Sequence, residues 1–233
     1  MAAGTTIELN GLTGFCAKPE SHGGGGVLLL PSHYGINDYA RDHVQDLADA
    51  GLVALACNQY SGRSSFVPSA AEAVRWGSEL NDDVVLQQAS TWIGYMLADL
   101  GLERVGIIGF CQGGRFALLL AARDPRVAAC VSYYPTIVYP MKPNQTLDPL
   151  ALAGEIRCPV QFIYAAGDHL TVRSTFLSLR EQLEQREGAT ITQVYPGADH
   201  GFMTVDEHPG EANAAAVRGS WAQAVAFLQA YTS

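Results

Sequence analysis

The sequence predicts an α/β fold, with a mostly parallel central sheet, helices on both faces and an N-terminal β-hairpin. Short runs of apolar and β-branched residues alternate with longer segments in which apolar residues recur at helical spacing. Clusters of turn residues separate these segments along the chain. A length of 233 residues suits one α/β domain. We therefore expect a single domain over residues 1–233.

The strands can be assigned in order along the chain. Residues 5–9 and 14–17 flank Asn10-Gly11, a pair that favours the type I′ turn of a β-hairpin. Apolar runs bounded by turn residues are typical of buried strands in a parallel sheet. Such runs occupy residues 27–30, 53–57, 105–109, 127–133, 160–164 and 191–195.

Helices are expected between and after these strands. Helical spacing of apolar residues predicts helices over residues 37–50, 83–100, 114–122, 174–187 and 211–231. Residues 58–82 show no clear period, and we expect them to run over the sheet, where such segments often shape a substrate pocket. Residues 135–150 are expected to form a proline-containing loop.

One turn carries a catalytic motif. Residues 109–113 read Gly-Phe-Cys-Gln-Gly between a predicted strand and a predicted helix, which is the setting of a G-x-nucleophile-x-G elbow. Glycines flank the nucleophile because a Cβ at those positions would clash with neighbouring chain. The N-terminus of the following helix favours a thiolate over a thiol. We therefore expect Cys111 to be a nucleophile, not a buried inert thiol.

Two residues later in the chain are candidate partners of this cysteine. In enzymes with such an elbow, an acid and a histidine follow later strands, in that order. Asp168 and His200 each follow a predicted strand, so we expect His200 to act as base and Asp168 to fix its tautomer. His169 and Asp199 are the neighbouring alternatives. The four residues could also suggest a metal site, but their spacing is not that of metal ligands, and no metal is expected.

An oxyanion formed at the substrate would need two backbone N–H groups. In this type of enzyme one comes from the residue after the nucleophile and one from the loop after an early strand. We expect these groups from Gln112 and His33. Tyr34, next to His33, is a candidate to line the pocket.

Composition indicates which kinds of molecule the protein binds and in which cellular compartment it is expected. A net charge of −9 with only 14 Lys and Arg leaves no basic stripe for phosphates, so nucleic-acid binding is not expected. No apolar run approaches the ~20 residues of a membrane span, and the first residues do not resemble a signal peptide. The five cysteines form no CxxC pair, which favours free thiols. We expect a cytoplasmic enzyme, a monomer or small homo-oligomer, acting on a small molecule without a cofactor.

These segments together resemble the dienelactone hydrolase family of α/β-hydrolases, which open an enol-lactone with a cysteine nucleophile. The resemblance covers nearly the whole chain. It implies the α/β-hydrolase fold, the triad Cys111, Asp168 and His200, and an oxyanion hole from the His33 and Gln112 amides. It is carried by residues 34–37 (Tyr-Gly-Ile-Asn), 109–114 (Gly-Phe-Cys-Gln-Gly-Gly), 132–134 (Ser-Tyr-Tyr), 167–169 (Gly-Asp-His) and 199–202 (Asp-His-Gly-Phe). Within these segments, Tyr134 and Phe202 are candidate substrate contacts.

The chain departs from this family where the substrate and the resting thiol are held. Ser32 replaces a glutamate that interacts with the thiol in the family, and we expect its hydroxyl to donate to a thiolate. Thr204 replaces an arginine that grips a substrate carboxylate, so neutral substrates should compete better here. A second family arginine lies in the segment 58–82, where Arg63 and Arg75 are the candidates.

The function expected from these residues is hydrolysis of a small lactone, ester or thioester through a Cys-His-Asp triad. Fold and triad do not fix the reaction, so a cyclase or isomerase acting on an activated carbonyl is the alternative. A binding protein with an inactive triad is a third class, which the intact elbow disfavours.

Overall fold

The computed structural model describes residues 4–20, 24–60 and 62–232. Within them one sheet is built from eight strands: β1 (Thr5–Leu9), β2 (Leu12–Ala17), β3 (Gly25–Leu30), β4 (Val53–Cys57), β5 (Arg104–Phe110), β6 (Val127–Tyr133), β7 (Val160–Ala165) and β8 (Thr190–Tyr195). The strands lie in the order β1-β2-β4-β3-β5-β6-β7-β8. β1 pairs antiparallel with β2, and β2 with β4. The pairs from β4 to β8 are all parallel, which confirms the predicted fold class.

Helices cover both faces of this sheet. They are α1 (Asp38–Asp49), α2 (Ala70–Glu79), α3 (Asp82–Ala98), α4 (Gln112–Arg123), α5 (Pro149–Leu152), α6 (Arg173–Glu184) and α7 (Glu211–Thr232), with a short 3₁₀ turn at Ala153–Glu155. α1 and α7 pack on one face of the sheet, and α3, α4 and α6 pack on the other. Each face therefore buries its own apolar cluster, as predicted for a doubly covered parallel sheet.

The N-terminal hairpin has the turn that its sequence predicts. Asn10 and Gly11 have φ angles of 50° and 80°, and the flanking residues Leu9 and Leu12 are paired. Positive φ at both central positions defines a type I′ turn, which Asn-Gly adopts at low cost. The hairpin is therefore confirmed, although β2 begins at Leu12, two residues before the predicted start.

The prediction for residues 58–82 is wrong in part, because this segment contains α2. Ser69 caps the helix, and its hydroxyl accepts a hydrogen bond of 3.2 Å from the Glu72 N–H. Within α2 only Ala73 and Trp76 are buried. The helix is only ten residues long and follows Gly62 and Pro68, which are typical turn residues, so the sequence pattern assigns the segment to a loop.

The predicted start of α4 is also wrong by two residues. The helix begins at Gln112, directly after Cys111, and Gly113 and Gly114 lie in its first turn. Glycine is a poor helix former, so the sequence pattern places the start too late. Tertiary packing described below accounts for both glycines.

The sheet brings the candidate residues to one edge. Because β3 to β8 run parallel, their carboxyl ends share an edge, and the loops after them meet there. His33 follows β3, Cys111 follows β5, Asp168 follows β7 and His200 follows β8. Residues far apart in sequence are therefore candidates for one site.

Two further observations concern the described part of the chain alone. None of its helices combines the length and the hydropathy that crossing a bilayer requires. No group of three or more His, Cys, Asp and Glu side chains in it is arranged to hold a metal ion. Residues 1–3, which enter the signal-peptide expectation above, lie outside the described residues.

Candidate active site

Cys111 occupies a strained turn between β5 and α4. Its φ of 57° and ψ of −116° are rarely adopted by residues with a side chain. Hydrogen bonds hold this conformation: the Cys111 N–H donates to the Tyr133 carbonyl at 3.1 Å, and the Thr136 N–H donates to the Cys111 carbonyl at 3.0 Å. A Cβ on Gly109 would lie 2.1 Å from the carbonyl oxygen of Gly113. The turn therefore has the geometry of the elbow that the motif predicts.

The first turn of α4 packs directly against the end of β3. A Cβ on Gly113 would lie 2.0 Å from the carbonyl oxygen of Leu30 and 2.4 Å from that of Pro31. Only a glycine permits such an approach between a helix and a neighbouring backbone. This packing brings the loop after β3, with His33, beside Cys111.

Asp168 and His200 form a buried pair. Asp168 Oδ2 lies 2.8 Å from His200 Nδ1, and Asp168 Oδ1 accepts hydrogen bonds from the N–H groups of Leu170 (2.7 Å) and Thr171 (3.0 Å). Both carboxylate oxygens are therefore satisfied and their orientation is fixed. His200 Nε2 is buried and forms no hydrogen bond of regular geometry with another described residue. This nitrogen remains available for proton transfer.

The loop that carries His200 is held by its neighbours. Asp199 accepts a hydrogen bond of 2.9 Å from Asn213 Nδ2, and its N–H donates to Asn213 Oδ1 at 2.8 Å. The ring of Tyr134 lies edge-on to the imidazole, with ring centroids 5.2 Å apart, and Phe202 packs behind Tyr134 at 5.0 Å. Tyr134 and Phe202 are both buried. They therefore position His200, and Asp199 anchors the loop to α7.

Two more polar side chains approach the sulfur of Cys111. Thr136 Oγ1 lies 3.2 Å from Sγ, and His33 Nδ1 lies 3.7 Å from it. Both distances lie within the range of hydrogen bonds to sulfur. Thr136 belongs to the loop after β6, and His33 belongs to the loop after β3. Loops after two strands on either side of β5 therefore supply the polar neighbours of the sulfur.

The charges in this site shift the proton equilibria of both reactive groups. Burial alone would raise the pKa of Cys111, but the imidazoles of His200 and His33 outweigh it and hold this pKa well below its usual range. Burial alone would lower the pKa of His200, but Asp168 and the sulfur of Cys111 outweigh it and raise this pKa to about 10. Both shifts favour a thiolate beside an imidazolium.

Two backbone N–H groups in the cleft at Cys111 have no recorded acceptor among the described residues. His33 and Gln112 both line the cleft that contains Cys111, and neither N–H donates to another described residue. The Tyr60 hydroxyl donates a hydrogen bond of 2.7 Å to the His33 carbonyl, which fixes the peptide at this position. These two N–H groups are the candidates for the predicted oxyanion hole.

A cleft of about 340 Å³ opens over Cys111. Two cationic residues line it. The guanidinium of Arg115 is buried and neutralised by Asp82 through hydrogen bonds of 2.7 and 2.8 Å, whereas Lys142 is exposed and forms no ion pair with another described residue. The apolar part of the lining comes from α2 and the loops after β6 and β7: Ala73, Val74, Val138 and Leu170.

The structure does not bring the two predicted arginines into this cleft. Arg63 forms an ion pair with Glu79, and its guanidinium lies over the Trp76 ring at 5.3 Å from the centroid. Arg75 forms an ion pair with Glu72. Neither residue lines the cleft at Cys111. This arrangement does not support the prediction that Arg63 or Arg75 binds a substrate carboxylate.

Three other predicted substrate contacts lie elsewhere. Ser32, Tyr134 and Thr204 line a separate small pocket of about 30 Å³. The Ser32 hydroxyl accepts a hydrogen bond of 3.3 Å from the Tyr34 N–H, and the Thr204 hydroxyl donates to the Gly201 carbonyl at 2.8 Å. The hydroxyl recorded in contact with Sγ belongs to Thr136, and no contact between Ser32 and the sulfur is recorded.

Sequence analysis missed Thr136 and Lys142. Both lie in the segment 135–150, which was predicted only as a loop. The signal that could have found Thr136 is its place just after β6, the strand next to β5, since the carboxyl ends of adjacent parallel strands are neighbours. No comparable signal exists for Lys142, because its position depends on how the loop folds.

The strand order, the strained turn after β5 and the histidine after β8 define the α/β-hydrolase class of enzymes. Within this class the chain belongs to the dienelactone hydrolase family, whose family model matches residues 12–232. It is therefore an enzyme of the ester and lactone hydrolase type.

Individual relatives agree with this assignment. A Bradyrhizobium protein provisionally named a 2-oxo-3-(5-oxofuran-2-ylidene)propanoate lactonase is 30% identical over 208 residues, which cover 87% of this chain and 82% of the relative. A Salmonella typhi protein provisionally named a carboxymethylenebutenolidase is 26% identical over 237 residues, covering 97% and 86%. A crystal structure from Klebsiella pneumoniae, provisionally described as a dienelactone hydrolase, superposes with a TM-score of 0.82 at 26% identity and covers 98% of both chains.

Proposed function

We propose that this enzyme hydrolyses a small lactone, ester or thioester by covalent catalysis. Cys111 is the nucleophile, His200 is the acid and base, and Asp168 orients His200. The observation that carries the proposal is the combination of Cys111 in a strained turn with a buried Asp168–His200 hydrogen bond, in which Nε2 forms no other hydrogen bond of regular geometry with a described residue.

The first half of the reaction forms an acyl-enzyme. The thiolate of Cys111 attacks the carbonyl carbon, and the electron pair of the C=O bond moves to oxygen. The resulting oxyanion accepts hydrogen bonds from the His33 and Gln112 N–H groups. When the intermediate collapses, the C–O bond of the substrate, or the C–S bond of a thioester, breaks, and His200 gives its proton to the leaving oxygen or sulfur.

The second half releases the acid. Neutral His200 takes a proton from water, whose oxygen attacks the thioester carbon of the acyl-enzyme. The C–S bond to Cys111 breaks with its electron pair on sulfur, which restores the thiolate and the imidazolium. Asp168 keeps the proton on Nδ1, so that Nε2 does the exchange in both halves.

The cleft suits a substrate with an apolar body. Its lining is mostly apolar, and Lys142 is the one cation in it that forms no ion pair with another described residue. The relatives named above carry names of unsaturated lactones that bear a carboxylate. We propose a small unsaturated lactone or ester as substrate, with a carboxylate accepted but weakly held. A cytoplasmic location and a monomeric or small homo-oligomeric state stay predictions from the sequence.

Turnover of a chromogenic short-chain ester, followed by product analysis in ¹⁸O-labelled water, tests this function. Hydrolysis predicts that ¹⁸O enters the carboxylate product and that Cys111→Ala abolishes turnover. Products without the label would instead support the isomerase or cyclase alternative. Turnover that survives Cys111→Ala would refute the cysteine mechanism.

A further inference from the structure

The sulfur of Cys111 has more potential hydrogen-bond donors around it than a triad requires. His33 Nδ1 and Thr136 Oγ1 lie 3.7 and 3.2 Å from Sγ, in addition to the His200 imidazole. For neither atom is another hydrogen-bond partner recorded among the described residues. The sulfur of Cys111 is therefore the one recorded hydrogen-bond partner of both atoms among the described residues.

A thiol serves these neighbours only weakly, because its sulfur is a poor acceptor, whereas a thiolate is a strong acceptor for both. An S–H group has one proton and can donate to one partner at a time. A thiolate accepts several hydrogen bonds, here from the Thr136 hydroxyl and from the Nδ1–H of the His33 imidazole. The geometry thus fits a sulfur that accepts from both side chains.

His33 is held in this position by contacts that do not involve the sulfur. Its carbonyl accepts the Tyr60 hydroxyl at 2.7 Å, and its ring packs on that of Tyr34 with centroids 4.2 Å apart. The close packing of Gly113 on Leu30 sets the distance between this loop and α4. The imidazole therefore does not need the sulfur to order it.

We propose that the His33 side chain is a second catalytic histidine, which donates a hydrogen bond from Nδ1–H to the sulfur of Cys111 in the resting thiolate and again as the C–S bond of the acyl-enzyme breaks. This inference rests on the proposed function, since it gives His33 a task in each half of the cycle. In the resting enzyme the bond lowers the proton affinity of the sulfur.

In the second half of the cycle, the bond makes the sulfur a better leaving group. His200 starts that half neutral, because its proton has left with the first product. The C–S bond breaks with its electron pair on sulfur, and the N–H of His33 and the O–H of Thr136 stabilise the new charge. His33 itself neither gains nor loses a proton, so the balance of the reaction is unchanged.

Two variants separate the side chain of His33 from its backbone N–H. His33→Leu removes the donor and keeps the peptide N–H, whereas His33→Asn places an amide N–H close to the position of Nδ1. The readout is the pH dependence of iodoacetamide alkylation at Cys111, followed by mass spectrometry. Burial raises the pKa of the other four thiols, of Cys16, Cys57, Cys130 and Cys158, so they react slowly.

We expect His33→Leu to raise the midpoint of alkylation by about one pH unit and to increase the fraction of trapped acyl-enzyme during ester turnover. His33→Asn should keep both properties near those of the wild type. His208→Leu is the matched control, because no contact of its side chain with Sγ or with the His200 ring is recorded among the described residues, and it should leave the midpoint unchanged.

The outcomes distinguish this inference from the proposed function. Alkylation needs no substrate, so a raised midpoint in His33→Leu with rescue by His33→Asn supports the contact even if no ester is hydrolysed. An unchanged midpoint in a folded His33→Leu variant refutes the inference while leaving the function standing. If His33→Asn is as impaired as His33→Leu, the side chain acts by packing alone and the proposal is also overturned.

Discussion

At Cys111 burial and local charge act in opposite directions on one proton. Burial raises the pKa of the thiol, and the imidazoles around it lower that pKa by more. Asp168 strengthens the effect indirectly, because it raises the pKa of His200 and keeps that imidazole charged beside the sulfur. The reactivity of one atom thus depends on residues from three separate loops.

The role of Asp168 can be tested by a neutral replacement of the same shape. Asp168→Asn should lower kcat by about 10⁴-fold, since the amide no longer holds the proton on His200 Nδ1. Asp199→Asn is the control, because Asp199 contacts Asn213 and no contact with His200 is recorded. It should cost stability and leave kcat within a few-fold of the wild type. Steady-state kinetics and thermal unfolding check both, and a large loss of kcat in Asp199→Asn would reverse the assignment.

The hydroxyl beside the sulfur can be identified by a second pair of variants. Thr136→Val keeps the shape of the side chain and removes the group at 3.2 Å from Sγ, so the midpoint of Cys111 alkylation should rise by about half a pH unit to one unit. Ser32→Ala should leave the midpoint unchanged, because the Ser32 hydroxyl is turned to the Tyr34 N–H. A midpoint that rises in Ser32→Ala and not in Thr136→Val would instead support the sequence prediction that the Ser32 hydroxyl donates to the thiolate.

Among the elements, α4 and the loop after β6 decide the shape of the site. α4 packs so closely on the end of β3 that its first turn has no room for a side chain at Gly113. The loop after β6 is held across the cleft by Asn144, whose Nδ2 donates to the carbonyls of Gly77 (3.1 Å) and Leu80 (2.8 Å). Both elements are therefore fixed by contacts with distant parts of the chain.

The close packing of α4 predicts a large cost for one methyl group. Gly113→Ala places a Cβ about 2 Å from two carbonyl oxygens that cannot move independently, and it should lower the free energy of unfolding by about 3 kcal/mol or more. Gly154→Ala is the control, since a Cβ there meets no atom within 4 Å. Urea unfolding measures both. Equal stability of the two variants would contradict the packing.

Lys142 lies on the loop after β6, and its contribution to binding a substrate carboxylate can be tested. Lys142→Met should lower kcat/KM for a carboxylate-bearing lactone by about threefold to tenfold relative to a neutral ester, because an exposed ammonium contributes little energy. Arg63→Met and Arg75→Met should leave this ratio unchanged, since both arginines pair with glutamates outside the cleft. A selectivity that depends on either arginine would contradict this arrangement.

At the scale of the whole molecule, one covered face of the sheet encloses a half-buried histidine that titrates. His43, on α1, lies between the rings of Phe110 and Trp221, with centroids 4.9 and 4.7 Å away. Its Nδ1 has no partner among the described residues, and burial lowers its pKa to about 4. The folded protein therefore keeps this histidine neutral at pH values where the unfolded chain binds a proton.

The sign of the resulting pH dependence follows from linkage. Below pH ~6.5 the unfolded chain protonates His43 and the folded protein does not, so stability falls until the pH reaches about 4. His43→Phe keeps an aromatic ring and removes the titration, and it should reduce the loss of stability between these pH values by up to about 3 kcal/mol. Urea unfolding at several pH values measures the difference, with the exposed His169→Phe as control. Parallel stability curves for wild type and His43→Phe would contradict the prediction.

The sequence alone determines the fold class and the three residues proposed for catalysis. Apolar runs and helical periods are local properties, and they identify the buried strands and most helices correctly. The elbow motif and the turns after β7 and β8 are also local, so Cys111, Asp168 and His200 can be read from the chain. Whether they form the proposed triad is a question for the variants above.

Only the tertiary structure decides which side chains surround the sulfur and the cleft. Thr136 reaches Sγ because β6 lies beside β5, and Lys142 reaches the cleft because Asn144 ties its loop to the carboxyl end of α2. The arginines at 63 and 75 turn to nearby glutamates instead. Contacts of this kind join segments remote in sequence, and their free energies depend on packing that no local pattern encodes.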